Sequence, residues 1–187
     1  MKTWKGFETR LIIWELKMTV EMDELTFQKA EPKDSKDILA LLQRIATWLK
    51  GKGIDQWRQF LDEKKGQAIL DRRFREGDVY KVLQKGAILG VFVTQWDDAF
   101  WHSTKMDDLA CWIHTMGIEP SLTGKGIGKK ILSYVENVAR RAGKKFVRLD
   151  CDGNNARLCG YYESNGFKNA GSKPWEEWLV RLYEKEL

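Results

Sequence analysis

The sequence predicts a single α/β domain in which about four helices flank a mixed, mostly antiparallel sheet. The first observation behind this prediction is an amphipathic helix that begins in a glycine cluster at residues 124–128 and crosses between two strand-like runs, Ala110–Ile118 and Phe146–Cys151. The second is a hairpin signal at Gln84–Ala87. The predicted order is therefore a strand, two helices, a hairpin, and then strand, helix, strand, helix and strand.

The first elements precede the glycine cluster. Residues 1–23 are too apolar for a plain linker and are assigned to an N-terminal extension of open role, ahead of a domain over residues 24–187. Leu25–Gln28 alternates in polarity and predicts the first strand. The next stretch predicts a helix, because its apolar side chains fall on one stripe: Ile38, Leu41, Leu42, Ile45 and Leu49. A second, shorter helix is predicted around Gln67–Arg75.

The remaining elements lie on either side of the crossing helix. The hairpin strands are predicted at Val79–Leu83 and Ile88–Trp96. A loop over Asp97–Leu109 follows, with aromatic side chains among four aspartates. After the crossing helix and its second strand, a helix over Asn155–Asn165 and a last strand over Trp178–Tyr183 complete the domain.

The composition is that of one soluble globular domain. The 187 residues are 43% hydrophobic and 32% charged, and a chain of this length and apolar content can form a hydrophobic core. The net charge of +5 is modest and includes no run of five like charges, so no nucleic acid partner is predicted. No apolar stretch approaches the roughly 20 residues that span a membrane, and no signal peptide is visible, so no membrane partner is predicted either.

Cysteine and histidine usage predicts no metal site. Cys111, Cys151 and Cys159 are odd in number and lack a paired spacing, and with only two histidines no zinc pattern can be assembled. Buried, reduced thiols in a cytoplasmic protein are therefore expected.

Gly124, Gly126 and Gly128 alternate at the entrance of the crossing helix. Without Cβ atoms the backbone can take open dihedrals, and a bulky group can lie against it. The first-turn N–H groups have no internal partner and carry the positive end of the helix dipole, so the loop is suited to phosphate. Neither common nucleotide motif matches, because Lys129 replaces the third glycine of the dinucleotide fingerprint and no Ser or Thr follows Lys125 as in a P-loop.

The glycine stretch resembles the pyrophosphate loop of the GNAT family of N-acetyltransferases. That motif is Arg or Gln, two residues, Gly, one residue, and then Gly or Ala. The corresponding segment here is Thr123-Gly124-Lys125-Gly126-Ile127-Gly128. Thr123 departs from the motif, which removes one charge but none of the backbone donors.

A second resemblance to the same family lies downstream. The Asn…Tyr-x-x-x-Gly-Phe signature of the family is matched by Asn155, Tyr162, Gly166 and Phe167. The resemblance extends from about Leu25 to the C-terminus. It implies a fold in which two central strands splay to admit the pantetheine arm of acetyl-CoA. It also implies transfer of the acetyl group to a primary amine of a small molecule or peptide, by direct attack in a ternary complex.

The resemblance further implies where the cofactor binds. The backbone of Met116 and Ile118 would pair with the pantetheine arm as another strand would, and an amide at Met116 or its neighbour would hold the oxyanion. Asn155 would contact the cofactor from the last helix. The residues around the diphosphate would be Thr123, Gly124, Lys125, Gly126, Ile127, Gly128 and Lys129.

Two side chains are candidates for proton transfer. Tyr162 matches the family tyrosine, and its phenol can donate to the departing sulfur, whereas Tyr161 points about 100° away and is expected in the core. His114 lies on the central strand, and imidazole titrates in the range suited to take the proton of the amine. Further candidates for the base are Glu119, the aspartates at 97, 98, 107 and 108, and ordered water.

The sequence does not indicate which amine accepts the acetyl group. Trp57 and Trp101, which polar residues flank, are expected at the mouth of the acceptor pocket. A small amine, an amino acid, an aminoglycoside-like drug and a protein N-terminus stay open as acceptors, and a homodimer stays open as the assembly. The rival function is a non-catalytic acyl-CoA sensor, because function is set by the site and not by the fold.

Overall fold

The computed structural model describes residues 25–101, 108–175 and 178–187. In that part of the chain, one seven-stranded sheet is flanked by four α-helices. The strands are β1 (Thr26–Lys29), β2 (Asp78–Gln84), β3 (Ala87–Gln95), β4 (Ala110–Ile118), β5 (Phe146–Asp152), β6 (Lys168–Trp175) and β7 (Trp178–Glu186). The helices are α1 (Ser35–Gly51), α2 (Glu63–Glu76), α3 (Ile127–Arg141) and α4 (Ala156–Ser164). The extension assigned to residues 1–23 lies outside the described residues.

The sheet order is β1-β2-β3-β4-β5-β7-β6, and all neighbours are antiparallel except β4 and β5. This confirms the predicted mixed, mostly antiparallel sheet. The predicted order contains no strand at β6, because that segment is mostly exposed and carries Gly171 and Pro174, which obscure any strand pattern. Its backbone is ordered by pairing with β7. No described helix has both the length and the apolar character that a membrane-spanning segment needs.

Each face of the sheet is covered by one pair of helices. On one face Ile38 and Leu42 of α1 pack with Val93 of β3, and α2 joins the same cluster. On the other face Ile131 of α3 packs with Leu149 of β5, and α4 completes the cover. Each such buried aliphatic side chain contributes about 1.5–3 kcal/mol. The helical stripes predicted for α1 and α3 are thus the buried sides of these helices.

The two central strands pair over only part of their length. The parallel register between β4 and β5 runs from Ala110–Phe146 to Ile113–Leu149 and then stops. Beyond that point β4 continues to Ile118 and β5 to Asp152 without a shared register. This confirms the predicted splayed pair. The edge of β4 that faces the gap is available to an extended ligand.

A β-bulge in β4 decides which side chains face each way. Two residues, Thr115 and Met116, stand opposite the single residue Phe92 of β3, and Thr115 has a φ of 48°. As a result Met116 packs against the core beneath α3 and α4. His114 instead pairs with Val93 and shares its face, which is the face that α1 covers. Simple alternation, which would place His114 and Met116 on one face, is therefore broken.

Candidate active site

The glycine cluster forms an open loop at the N-terminus of α3. Gly124 and Gly126 have φ angles of 83° and 78°, in the left-handed region that side chains disfavour. Among the described residues, a Cβ atom added at either position meets nothing within 4 Å. Gly126 is the N-cap residue, and the amides of the first helical turn have no intrahelical acceptor. The loop therefore presents backbone donors and the positive end of the helix dipole to open space.

At Gly128 a side chain is limited by a neighbouring group and not by the φ angle. A Cβ atom there would lie closer to the Tyr161 hydroxyl than the 3.0 Å that real Cβ atoms keep. That hydroxyl is buried and has no hydrogen-bond partner among the described residues. Burial raises the pKa of Tyr161, so the phenol keeps its proton. The ring packs against the core, as expected, but its hydroxyl reaches the start of α3.

Asn155 and Tyr162 lie about two turns apart on α4. Asn155 is the N-cap residue, and its side-chain oxygen accepts a hydrogen bond from the Leu158 amide at 3.0 Å. Tyr162 is only 6% exposed, and its ring packs against those of Phe167 and Tyr183. Burial raises the pKa of Tyr162, so its phenol is neutral and able to donate at neutral pH.

A cluster of ionisable side chains lies where β4 and β5 part. His114 and Asp150 immediately follow the last residues that pair between these strands. The Nε2 atom of His114 lies 3.2 Å from the Oδ2 atom of Asp98, and these side chains are 10% and 11% exposed. The Phe100 amide fixes Asp98 by donating to its Oδ1 atom at 2.8 Å. Polar atoms of His114, Asp98 and Asp150 lie within 4.8 Å of one another, close enough to surround one cation.

The two carboxyl groups of this cluster have shifted pKa values of opposite sign. Burial alone would raise the pKa of Asp98, but the interaction with the nearby His114 outweighs it, so the pKa is lowered. Burial raises the pKa of Asp150 despite the opposing effect of His114, and the Asp98 charge adds to the rise. Arg73 of α2 contributes a nearby positive charge, and burial lowers its pKa. Such perturbed groups are typical of functional sites.

The sequence predicts His114 as a candidate base but indicates only part of the cluster around it. It places Asp98 among several candidate bases and does not indicate Asp150. Asp150 becomes a candidate only when the register of β4 and β5 is known, because that register places it beside His114. The other residues considered as the base are Glu119, Asp97, Asp107 and Asp108. Glu119 is engaged in an ion pair with Arg44 at 2.9 Å, and Asp107 lies outside the described residues.

The two tryptophans expected at the pocket mouth behave differently. Trp101 is 0% exposed, and the centroid of its ring lies 5.7 Å from the Cζ atom of Arg148. The prediction that Trp101 lies at the mouth of the acceptor pocket is therefore wrong. The Trp101 ring packs into a small buried cluster beside β4 and β7. Trp57 is half-buried, and its ring lies so close to Gly117 that an added Cβ would be 2.9 Å away. Trp57 therefore covers β4 just beyond the bulge.

All three cysteines are buried free thiols, as expected. Burial raises the pKa of Cys111 to about 12. Burial also raises the pKa of Cys151, whose Sγ atom lies 3.9 Å from that of Cys159. Thiols of this kind are poor nucleophiles, which argues against a covalent route through cysteine.

Comparisons with known proteins agree with this geometry. Residues 42–167, more than half of the chain, match the acetyltransferase (GNAT) family. The uncharacterized N-acetyltransferase YesJ of Bacillus subtilis (strain 168) is 28% identical over 163 residues, which cover 83% of this chain and 86% of that protein. The crystal structure of a GNAT acetyltransferase from Listeria monocytogenes has a TM-score of 0.70 and 26% identity, and the match covers 87% of this chain and 95% of that chain.

A further solved structure shows the fold together with its cofactor. The PaiA N-acetyltransferase of Thermoplasma acidophilum, in complex with coenzyme A, has a TM-score of 0.68 and 15% identity over 88% of this chain and 99% of that chain. The family uses acetyl-CoA as its acetyl donor. The chain thus belongs to the GNAT family and is an acetyl-CoA-dependent N-acetyltransferase.

Proposed function

We propose that this enzyme moves the acetyl group of acetyl-CoA to a primary amine of a small molecule or peptide, by direct attack within a ternary complex. The observation that supports this most strongly is the position of the cluster formed by His114, Asp98 and Asp150. It lies where β4 and β5 part. His114 is on the face that α1 covers, whereas the helix headed by the glycine loop covers the other face. An amine would therefore meet the thioester from the side opposite the helix that binds the cofactor.

The cofactor side of the proposed site uses mostly backbone groups. The amides at the start of α3, with the charges of Lys125 and Lys129, would bind the diphosphate. The edge of β4 that β5 leaves unpaired would bind the pantetheine arm through the backbone of Met116 and Ile118. Asn155 would contact the cofactor from the start of α4.

The amine must lose a proton before it attacks. An alkylamine has a pKa of about 10 and arrives as an ammonium ion. Asp150 would receive that ammonium, and His114 would remove one proton, directly or through one water. Asp98 would stabilise the imidazolium that forms, because its carboxylate already lies against Nε2. The free amine then attacks the carbonyl carbon of the thioester.

The resulting tetrahedral intermediate has a negative oxygen and a leaving sulfur. A backbone amide of β4, at Met116 or its neighbour, would hold the oxygen. The carbon–sulfur bond then breaks, and Tyr162 donates a hydrogen bond and then a proton to the thiolate. The raised pKa of Tyr162 makes it a reluctant acid, so hydrogen bonding precedes proton transfer. Of the two protons that the ammonium nitrogen loses, one leaves through His114 and one restores Tyr162.

Thioester cleavage over a panel of primary amines, followed as release of free thiol, tests the proposal. We expect cleavage that requires an amine and that yields one N-acetylated product per thiol, as measured by mass spectrometry. Tight binding of coenzyme A without turnover on any amine would contradict the enzymatic proposal. An acetylated protein isolated after incubation with acetyl-CoA alone would contradict direct attack.

A further inference from the structure

We infer that the Tyr161 hydroxyl is an additional cofactor ligand, which donates a hydrogen bond to the diphosphate of coenzyme A. Tyr161 lies within the second motif that the chain shares with its family, but at a position that the signature leaves unspecified. The inference rests on the diphosphate site proposed above for the glycine loop, and it assigns that site a side chain from a different helix.

The third glycine of the loop marks the position of this hydroxyl. Gly124 and Gly126 need glycine because of their left-handed φ angles, but Gly128 does not have a positive φ. At Gly128 the restriction is steric, since a Cβ atom would collide with the Tyr161 hydroxyl. Gly128 is the second residue of α3, and Gly126 is the N-cap residue that precedes the helix. The hydroxyl therefore lies in the turn whose amides lack intrahelical acceptors.

In the described part of the chain, the Tyr161 hydroxyl lies near backbone donors and has no acceptor within hydrogen-bond geometry. The Tyr161 oxygen is buried and makes no hydrogen bond to the described residues. The amides of the first turn are donors as well, and that turn carries no acidic side chain. Lys125 and Lys129 add positive charge at the same end of the helix. A ligand that satisfies all these groups must bring negatively charged oxygen atoms, which a diphosphate does.

The site is accessible to such a ligand. The space in front of Gly124 and Gly126 is open among the described residues. The Tyr161 side chain as a whole is only half-buried, and its hydroxyl already lies beside Gly128. Its ring makes an edge-on contact with that of Tyr162, at 5.5 Å between ring centroids. The backbone of α4 therefore need not move for the phenol to reach the diphosphate.

An unsatisfied buried hydroxyl gives the inference a distinctive signature. A buried polar group that makes no hydrogen bond to the protein costs folding stability, and the Tyr161 hydroxyl makes none to the described residues. Tyr161→Phe removes that cost, so the unliganded variant should be more stable than the wild type. The same change removes a donor to the ligand, so coenzyme A should bind more weakly. A tyrosine that only packs in the core would not produce these two effects together.

The test is calorimetric titration with coenzyme A, paired with thermal unfolding of the unliganded protein. For Tyr161→Phe we expect about tenfold weaker binding, equivalent to 1.4 kcal/mol. We also expect a melting temperature that is higher by about 2–4 °C. Tyr134→Phe is the matched control, because it removes a tyrosine hydroxyl from α3 in an aromatic cluster with Phe27 and Tyr80. Its affinity for coenzyme A should equal that of the wild type.

A second titration identifies the part of the cofactor that the hydroxyl contacts. The probe is 3′-phosphoadenosine 5′-diphosphate, the nucleotide half of coenzyme A, which keeps the diphosphate and the 3′-phosphate and lacks the pantetheine arm. Tyr161→Phe should weaken its binding by the same factor as for coenzyme A. A loss with coenzyme A but not with the nucleotide would place the hydroxyl on the pantetheine arm and overturn the assignment to the diphosphate.

Failure of the inference and failure of the proposed site give different results. If Tyr161→Phe binds coenzyme A as the wild type does while Gly126→Val does not bind it, the inference falls and the glycine loop stands. If both variants bind normally, the loop itself is not the diphosphate site. If Tyr161→Phe weakens binding and also lowers the melting temperature, the hydroxyl is a structural group and the inference is wrong.

Discussion

The Nε2 atom of His114 lies 3.2 Å from the Oδ2 atom of Asp98, at the point where β4 stops pairing with β5. The bulge at Thr115 and Met116 separates this imidazole from the side chain of Met116, which packs on the opposite face. An imidazole that is held by a carboxylate beside an opened strand is suited to take a proton from an incoming amine.

The role of His114 can be tested with acceptors of different basicity. With n-butylamine, which is protonated at neutral pH, His114→Gln should lower kcat by about 10²–10⁴-fold, because the base is lost. With hydroxylamine, which is unprotonated at neutral pH, the loss should be much smaller. The affinity for coenzyme A should stay unchanged, because His114 faces away from the helix that the glycine loop precedes. Equal losses with both nucleophiles would exclude His114 as the base.

Asp98 and Asp150 should affect stability in opposite directions. The folded-state pKa of Asp98 is below the unfolded value. Its ionised form therefore stabilises the fold at pH values above the unfolded pKa, and this stabilisation is lost as the pH falls through the folded-state pKa. The folded-state pKa of Asp150 is above the unfolded value, so ionisation at neutral pH destabilises the fold. At pH 7 Asp98→Asn should therefore lower the free energy of unfolding, and Asp150→Asn should raise it.

Urea titrations at several pH values check these signs. The effect of Asp150→Asn should disappear below about pH 4, where the unfolded carboxyl is itself protonated. The effect of Asp98→Asn should persist to lower pH, because its folded-state pKa is depressed. Both variants should acetylate amines more slowly than the wild type. A stability change of the same sign in both variants at pH 7 would refute this account of the cluster.

Tyr162 should act on the chemical step and not on cofactor binding. Tyr162→Phe keeps the buried ring but removes the donor to the departing sulfur, so kcat should fall by about 10²-fold or more. The dissociation constant of coenzyme A, measured by calorimetry, should change little. Tyr134→Phe serves as the control, with unchanged kcat. Full activity of Tyr162→Phe would remove its assignment as the acid.

The glycine loop offers a matched pair of substitutions on one helix. Gly126 precedes α3 with a φ of 78°, and Gly143 follows it with a φ of 71°; an added Cβ at either meets no described atom within 4 Å. Valine at either position introduces the same left-handed strain, so both variants should lose similar stability. Only Gly126→Val should lose binding of coenzyme A, because we propose that only that end of the helix binds the diphosphate. Similar affinities in the two variants would argue against the loop as the diphosphate site.

Much of the fold could be predicted because its signals are local. The apolar stripe of α1 is a matter of helical spacing, and the hairpin between β2 and β3 turns at Lys85 and Gly86, which have φ angles of 50° and 82°. β6 could not be predicted, because its side chains are mostly exposed and its order depends on pairing with β7. A strand that is specified by its neighbour leaves little pattern in its own sequence.

In the candidate site too, some features follow from local sequence and others depend on contacts between distant segments. Asn155 and Tyr162 lie on one helix, and the glycine loop is contiguous, so their motifs are visible in the sequence. Asp150 meets His114 only through the register of two parallel strands, which no local pattern encodes. The approach of Tyr161 to the start of α3 depends likewise on how two helices pack. Contacts between distant segments are therefore what the structure adds to the sequence.

A crystal structure of the complex with coenzyme A tests the central claim most directly. The account predicts that diphosphate oxygens lie within hydrogen-bond distance of the backbone amides around Gly126, Ile127 and Gly128, and that the sulfur lies in the gap between β4 and β5, near Tyr162. Cofactor bound elsewhere, or a diphosphate held away from the start of α3, would contradict it.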